Sequence, residues 1–190
     1  NPVLYNRIKS LYDNRESIGL NTEDAWLLER YYKDLIHAGA HLSESERGRL
    51  KELNEELSKL ETQFSKNVLA DTNDLAVLVH TIEELDGLSE NEIASAAAAA
   101  KDRGHEGKWL IGMVNFSGNP VLDSLTNRAL RQKIMQESLV KANRANENDN
   151  KPIILKVVKL RAERAKLFGK NTHAEHVIAV QTAEHPDNVH

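Results

Sequence analysis

Two groups of histidines are the first places to look for chemistry in this 190-residue chain. His37 and His41 stand four apart, the spacing that lets two imidazoles on one helix face share a zinc ion. Hydrolysis at such an ion also needs a glutamate directly after the first histidine, to take a proton from metal-bound water, and that position is Ala38. Gly39 should end the helix between the two rings, so they read as surface histidines. His173, Glu175 and His176 form the second group. A His-x-x-Glu-His order would bind metal, but His173-Ala174-Glu175-His176 is one residue short of it and has no evident third ligand. It reads as a coincidence of composition.

Other chemistries are excluded more simply. The chain has no cysteine, which removes disulfides, thiol catalysis and thiolate metal sites, without fixing a compartment. It has no Gly-rich phosphate loop, no Gly-x-Ser-x-Gly elbow and no spacing that marks a catalytic carboxylate pair. No residue is therefore assigned a catalytic, cofactor-binding or metal-binding role. No apolar run reaches the roughly 18 residues of a membrane span, and mean hydropathy is −0.54, so no membrane partner is expected.

Charge is unevenly distributed along the chain. Residues 1–100 carry 10 Lys and Arg against 19 Asp and Glu, whereas residues 101–190 carry 15 against 10. Seven of the basic residues, with Glu163 as the one acid, fall between Lys151 and Lys170. Such a helix can bind phosphate or a partner, but few aromatic residues interleave with its charges, and no nucleic-acid partner is expected. The reading preferred here is internal complementarity between an acidic first half and a basic second half.

The elements that must position these residues are mostly helices. Asn1-Pro2 reads as a cap and first helical position, followed by Leu4, Ile8, Leu11 and Tyr12 at helical spacing and closed by Gly19. A second helix starts at Asn21 or Thr22 and runs through Trp26, Leu27, Tyr31, Tyr32 and Leu35 to Gly39. Ser43-Glu44-Ser45-Glu46 is a capping box. It opens a third helix of about 40 Å, to about residue 70, with Leu50, Leu53, Leu57, Leu60 and Phe64 on one seam. This seam suits packing inside a bundle better than an intermolecular coiled coil, since it covers little more than two heptads. The short connection predicts an antiparallel hairpin of helices two and three.

Asp71-Thr72-Asn73-Asp74 reads as the break after which Leu75–His80 forms a strand. Ser89 and Glu92 cap an alanine-rich helix that ends near Gly104, and Trp109–Phe116 is a second strand candidate. Ser117-Gly118-Asn119-Pro120 reads as a turn, with Pro120 at a first helical position. Helical spacing resumes from Leu125 to Leu139, breaks over Asn143–Asn150, returns from Pro152 to Gly169, and ends in a Thr172-capped segment before Pro186. The expected fold is mainly α, a helical hairpin and bundle with a small two-stranded β element. Residues 1–70 form the hairpin, 71–120 a strand–helix–strand unit and 121–190 a helical part of one segment.

Several stretches carry a family likeness. Leu35-Ile36-His37-Ala38-Gly39-Ala40-His41-Leu42, Lys51-Glu52-Leu53-Asn54-Glu55-Glu56-Leu57-Ser58 and Thr62-Gln63-Phe64-Ser65-Lys66-Asn67-Val68 resemble the thimet oligopeptidase family of zinc metallopeptidases, most of all its bacterial peptidyl-dipeptidase and oligopeptidase A branch. Glu84-Leu85-Asp86-Gly87-Leu88-Ser89, Ser124-Leu125-Thr126-Asn127-Arg128-Ala129-Leu130-Arg131 and Leu160-Arg161-Ala162-Glu163-Arg164-Ala165-Lys166-Leu167-Phe168-Gly169 agree with it. The resemblance covers nearly the whole chain in order. It implies a predominantly helical, channel-bearing enzyme acting on short peptides. Its zinc is held by the two histidines of His-Glu-x-x-His and a downstream glutamate, polarises the scissile carbonyl and activates water.

No window of this sequence contains that motif. The chain is therefore expected to be a non-catalytic, N-terminal-side segment forming part of one channel wall. Its partners would be the remainder of the parent chain and, for the parent, short peptides, with zinc in the parent only. A cytoplasmic location is expected, or a periplasmic one if a signal was removed. Two departures from the family pattern stand out. His173 and His176 occupy positions where aromatic or aliphatic residues are expected, and Asn115-Phe116-Ser117-Gly118 replaces a more polar segment. The competing expectation is a stand-alone helical interaction or dimerisation module built on the leucine seam or the basic helix.

Overall fold

The computed structural model describes residues 2–189, without the side chains of 115–119. Asn1 as a helix cap and the departure at Asn115-Phe116-Ser117-Gly118 lie outside the residues or side chains so described. Eight α-helices and two short strands are present among the described residues: α1 (Pro2–Asp13), α2 (Thr22–His37), α3 (Glu44–Asp74), β1 (Val77–Val79), α4 (Glu90–Asp102), β2 (Trp109–Ile111), α5 (Asn115–Ser124), α6 (Arg128–Leu139), α7 (Lys151–Leu167) and α8 (His173–Ile178). The mainly helical class with a two-stranded antiparallel element is thus observed. Two compact units divide the chain, one comprising residues up to Leu60 with those from Leu155, the other Glu61–Ile154.

In the first unit, local signals place the helix ends. Asn21 accepts the Asp24 N–H at 2.8 Å, and Ser43 and Glu46 exchange cap bonds at 2.8 and 3.3 Å. Gly39 takes φ +83°, which stops α2, and a Cβ there would come within 2.8 Å of Leu50 Cδ2. The aromatic face of α2 is met by α1, with the Tyr12 and Tyr32 rings stacked at 4.1 Å. The leucine seam of α3 is taken up by α7: Leu53 and Leu57, 0% and 3% exposed, form a core with Leu160, flanked by Leu60, Val157 and Leu167. Intramolecular packing of the seam is therefore what the fold uses.

Charged side chains of α3 and α7 meet within the same unit. Lys156 pairs with Glu56 at 2.5 Å, Arg49 with Glu163 at 2.7 Å, and Arg164 donates to Asn54 at 3.1 Å. One of these pairs, Lys156–Glu56, sets a base of the second half on an acid of the first, and Arg49–Glu163 runs the other way.

In the second unit, β1 and β2 pair antiparallel with Val77 opposite Ile111 and Val79 opposite Trp109. Val77, Val79, Leu85, Ile111, Leu125 and Ile134 lie at the centre of its core. Helix α4 lies against β2. Its alanines permit this, since Ala96 and Ala100 are buried and present little bulk. Gly87 holds φ +94° in a tight turn where a Cβ would meet the Ser124 carbonyl oxygen, and the Thr126 N–H donates to Asp86 O at 2.8 Å beside it.

Four sequence expectations are corrected here. Helix α3 does not break at Asp71 but runs to Asp74. The turn-forming side chains are engaged elsewhere: Thr72 bonds back to Val68 O at 2.7 Å, and Asp71 is held by a distant arginine. The second strand ends at Ile111 rather than Phe116, because β1 offers only three residues to pair with. Beyond it the backbone satisfies itself as α5, with Pro120 inside that helix rather than at its start. Leu125 closes α5 instead of opening the next helix, which begins after its cap Asn127.

Candidate functional site

Each unit buries a titratable group, and each does so differently. In the second unit the group is Asp71, which is 0% exposed. Its carboxylate accepts from Arg144 Nη2 at 2.5 Å and Nε at 3.2 Å, from the Ala142 N–H at 2.7 Å and from Asn148 Nδ2 at 3.0 Å. The Arg144 hydrogen bond, helped by Ala142 and Asn148, holds the carboxyl below its ordinary range despite burial. Asn67 and Asn150, also buried, extend the network: Asn67 Nδ2 donates to Asn150 Oδ1 at 2.9 Å, and Asn150 Nδ2 donates to Phe64 O at 3.1 Å.

This network ties the polar stretch 143–150 to α3. It holds Ala142 at φ 54°, and Ala145, whose N–H donates to Asp149 Oδ2 at 2.7 Å, shares that left-handed conformation, which non-glycine residues adopt only under constraint. The polar stretch that reads from sequence as a simple break is thus a clamped loop. Every oxygen of Asp71 is used structurally, which leaves nothing to offer a ligand.

In the first unit the buried group is His176, on α8, 6% exposed. Thr172 caps α8 by accepting the Glu175 N–H at 3.1 Å, and this short helix presents His176 inward. Its ring stacks on His37 at 4.4 Å with an 11° interplanar angle, and on Phe168 at 4.4 Å with 29°. Phe168 also lies 5.9 Å from His41. These four rings, with Tyr12 and Tyr32, line a cavity of about 260 Å³.

Burial pushes the His176 imidazole down to about 4, reinforced by His37, Arg164, His173 and Lys170. His173 is lowered too, by burial and then by Arg161 and Arg164, and its buried Nδ1 finds no hydrogen-bond partner. A neutral, apolar-packed imidazole is the species at neutral pH.

The structure redistributes the sequence candidates. His37 and His41 do not act as a pair: Gly39 ends the helix between them, and His37, read as a surface residue, is half-buried against His176. His173 and His176 are likewise split, one orphaned and one stacked. What sequence reasoning missed is the convergence of His37, Phe168 and His176. More than a hundred residues separate the first from the others, so no local spacing could reveal it.

Comparison with known proteins adds a family likeness. Residues 121–190 match the model of peptidase family M3. Over 187 residues, 98% of the chain, it is 36% identical to the dipeptidyl carboxypeptidase of Escherichia coli (strain K12), of which this covers 28%. The chain is similar to peptidases of family M3. It is also 32% identical, over 95% of its length, to the organellar oligopeptidase A of Arabidopsis thaliana, covering 23% of that protein. With Haemophilus influenzae oligopeptidase A it shares 31% identity over 98%, again 28% of the relative. The chain thus spans a little over a quarter of the first of these relatives.

The residues present do not suit the zinc of an M3 peptidase. Among the described residues, no three His, Asp or Glu side chains stand close enough together to hold a metal ion. The one cluster of imidazoles has its rings face to face, so their nitrogen lone pairs lie in nearly parallel planes and do not converge on a point. No helix of the described residues is long and apolar enough to cross a membrane.

Proposed function

We propose that this chain is a non-catalytic wall segment of a zinc-dependent peptidyl-dipeptidase or oligopeptidase whose whole form hydrolyses short peptides. The observation that carries this reading is the alignment with a dipeptidyl carboxypeptidase along 98% of the chain but 28% of the relative. It is supported by the absence of a His-Glu-x-x-His window from the 190 residues. The single-segment reading of the chain belongs to the same proposal, as does a zinc site in the parent alone.

The partner is then the remainder of the parent. Large apolar side chains left exposed, Trp26 at 64% and Tyr31 at 55% in the first unit and Leu139 at 66% in the second, are what such packing would cover. A cytoplasmic location goes with this reading.

The test is to express the 190 residues alone and assay zinc content and release of dipeptides from short peptides. The expected result is no stoichiometric zinc and no turnover, while a longer chain with a His-Glu-x-x-His helix is active. Chelator-sensitive hydrolysis by the 190 residues would overturn the reading. The alternative, a stand-alone interaction or dimerisation module on the leucine seam or the basic helix, is less favoured at the seam, where Leu53 and Leu57 pack against Leu160. Sedimentation should find a monomer at all concentrations.

A further inference from the structure

The first unit closes its α8 segment with an unusual fastening. His176 is the buried residue of that six-residue helix, and its ring packs on those of both His37 at the end of α2 and Phe168 just after α7, which themselves lie 6.4 Å apart. The rings of three separate segments thus meet in one cluster, and His176 is the ring that ties α8 into it. A cavity of about 260 Å³ lies against it.

The groups facing His176 are uniform in sign. From α2 comes His37, from α7 Arg164, from the following turn Lys170, and from its own helix His173; each is cationic or becomes so on protonation. Its neighbour Glu175 is engaged elsewhere, accepting the Asn171 N–H at 3.1 Å at the start of α8. A proton on His176 would thus find no counter-charge among these neighbours, and stacked aromatic packing would become a buried cation.

We propose that His176 is an acid-release latch: neutral, it pins α8 to α2 and α7 through the His37–His176–Phe168 stack, and on taking up a proton it leaves the stack, frees α8 and opens the adjoining cavity. The proton comes from solvent and resides on the imidazole, with no covalent step. The direction follows from linkage. The released imidazole takes its proton near 6.5, the buried one only near 4, so acidification favours the released form across that interval. The population with α8 released should rise about tenfold per pH unit between about 6.5 and 4.

Amide hydrogen exchange of the 190-residue chain, corrected for intrinsic rates, reads this directly. Between pH 7.5 and 4.5, protection of α8 should fall about tenfold per unit once below 6.5, while α4 in the second unit keeps its protection. His176→Phe retains an aromatic ring and removes the proton site, so its α8 protection should be flat over the same range. His173→Gln should keep the slope, because His173 is outside the stack. An identical slope in His176→Phe and the unmodified chain would overturn the latch. If His176→Phe does not fold, the His176 ring resonance of the unmodified chain decides. A titration near 4 that accompanies α8 release supports the proposal, and one near 6.5 with α8 still protected refutes it.

Discussion

The two units bury Asp71 and His176, and their opposite solutions teach how burial of a titratable residue is made tolerable. Asp71 keeps its charge and is surrounded by donors: a guanidinium, a backbone N–H and an amide. His176 gives up its charge and is surrounded by rings. The first solution is strong while its partners remain, since removing one leaves a buried ion uncompensated. The second survives replacement by another ring but fails in acid. One unit is thus vulnerable to mutation at its polar centre, the other to pH.

The comparison can be broken or sharpened by measurements on single-tryptophan variants, with Trp109 reporting the second unit and Trp26 the first. The largest effect is expected for Asp71→Ala. It leaves the Ala142 N–H without its acceptor and Arg144, itself partly exposed, with Asp74 alone, and should cost about 3 kcal/mol, the low end for a broken buried pair, in urea unfolding followed at Trp109. A cost below about 1 kcal/mol would mean that solvent replaces the carboxylate and the clamp is superficial. Next comes Phe168→Ala, which removes the ring that His176 and His41 pack against. It should destabilise the first unit by about 2–3 kcal/mol, less than for a fully buried Phe because Phe168 is only partly enclosed.

The pH comparison is smaller per step but more diagnostic. The lowered His176 pKa means that protons bind the unfolded form first, so the first unit should lose roughly 1 kcal/mol per pH unit below about 6.5, with the loss ending near 4. The lowered Asp71 pKa has the opposite onset: its contribution is intact above the ordinary Asp range and drains only as pH falls below about 4. Melting curves at pH 7 and 5 should therefore shift at Trp26 and stay put at Trp109. Equal shifts at both would erase the contrast. The smallest change is expected for Ala145→Gly, which relieves an exposed residue held at φ 54° and should stabilise the second unit by about 1 kcal/mol or less.

Much of the fold was legible because its signals are local. The caps at Asn21, Ser43, Ser89 and Thr172 each bond within three residues, and Gly39 and Gly169 end their helices with positive φ. The leucine seam reads as a buried stripe because its residues share one helix face. The failures have a common cause. Asp71-Thr72-Asn73-Asp74 reads as a break, but Arg144, more than seventy residues on, claims the Asp71 carboxylate and the helix continues. Trp109–Phe116 reads as one strand, but strand length is set by the partner, and β1 is three residues long.

The residue sequence by itself determined the helical class, most element ends, the lack of thiol chemistry and the family likeness, since each depends on composition or on neighbours a few positions apart. Only the tertiary structure decided which charges and rings meet. It paired charges of either polarity across α3 and α7, and it turned four histidines read as two pairs into one ring cluster with Phe168 and an orphan. The physical reason is that burial and partner geometry are properties of contacts between distant segments. The same imidazole is a surface base or a neutral packing ring according to what the fold lays against it.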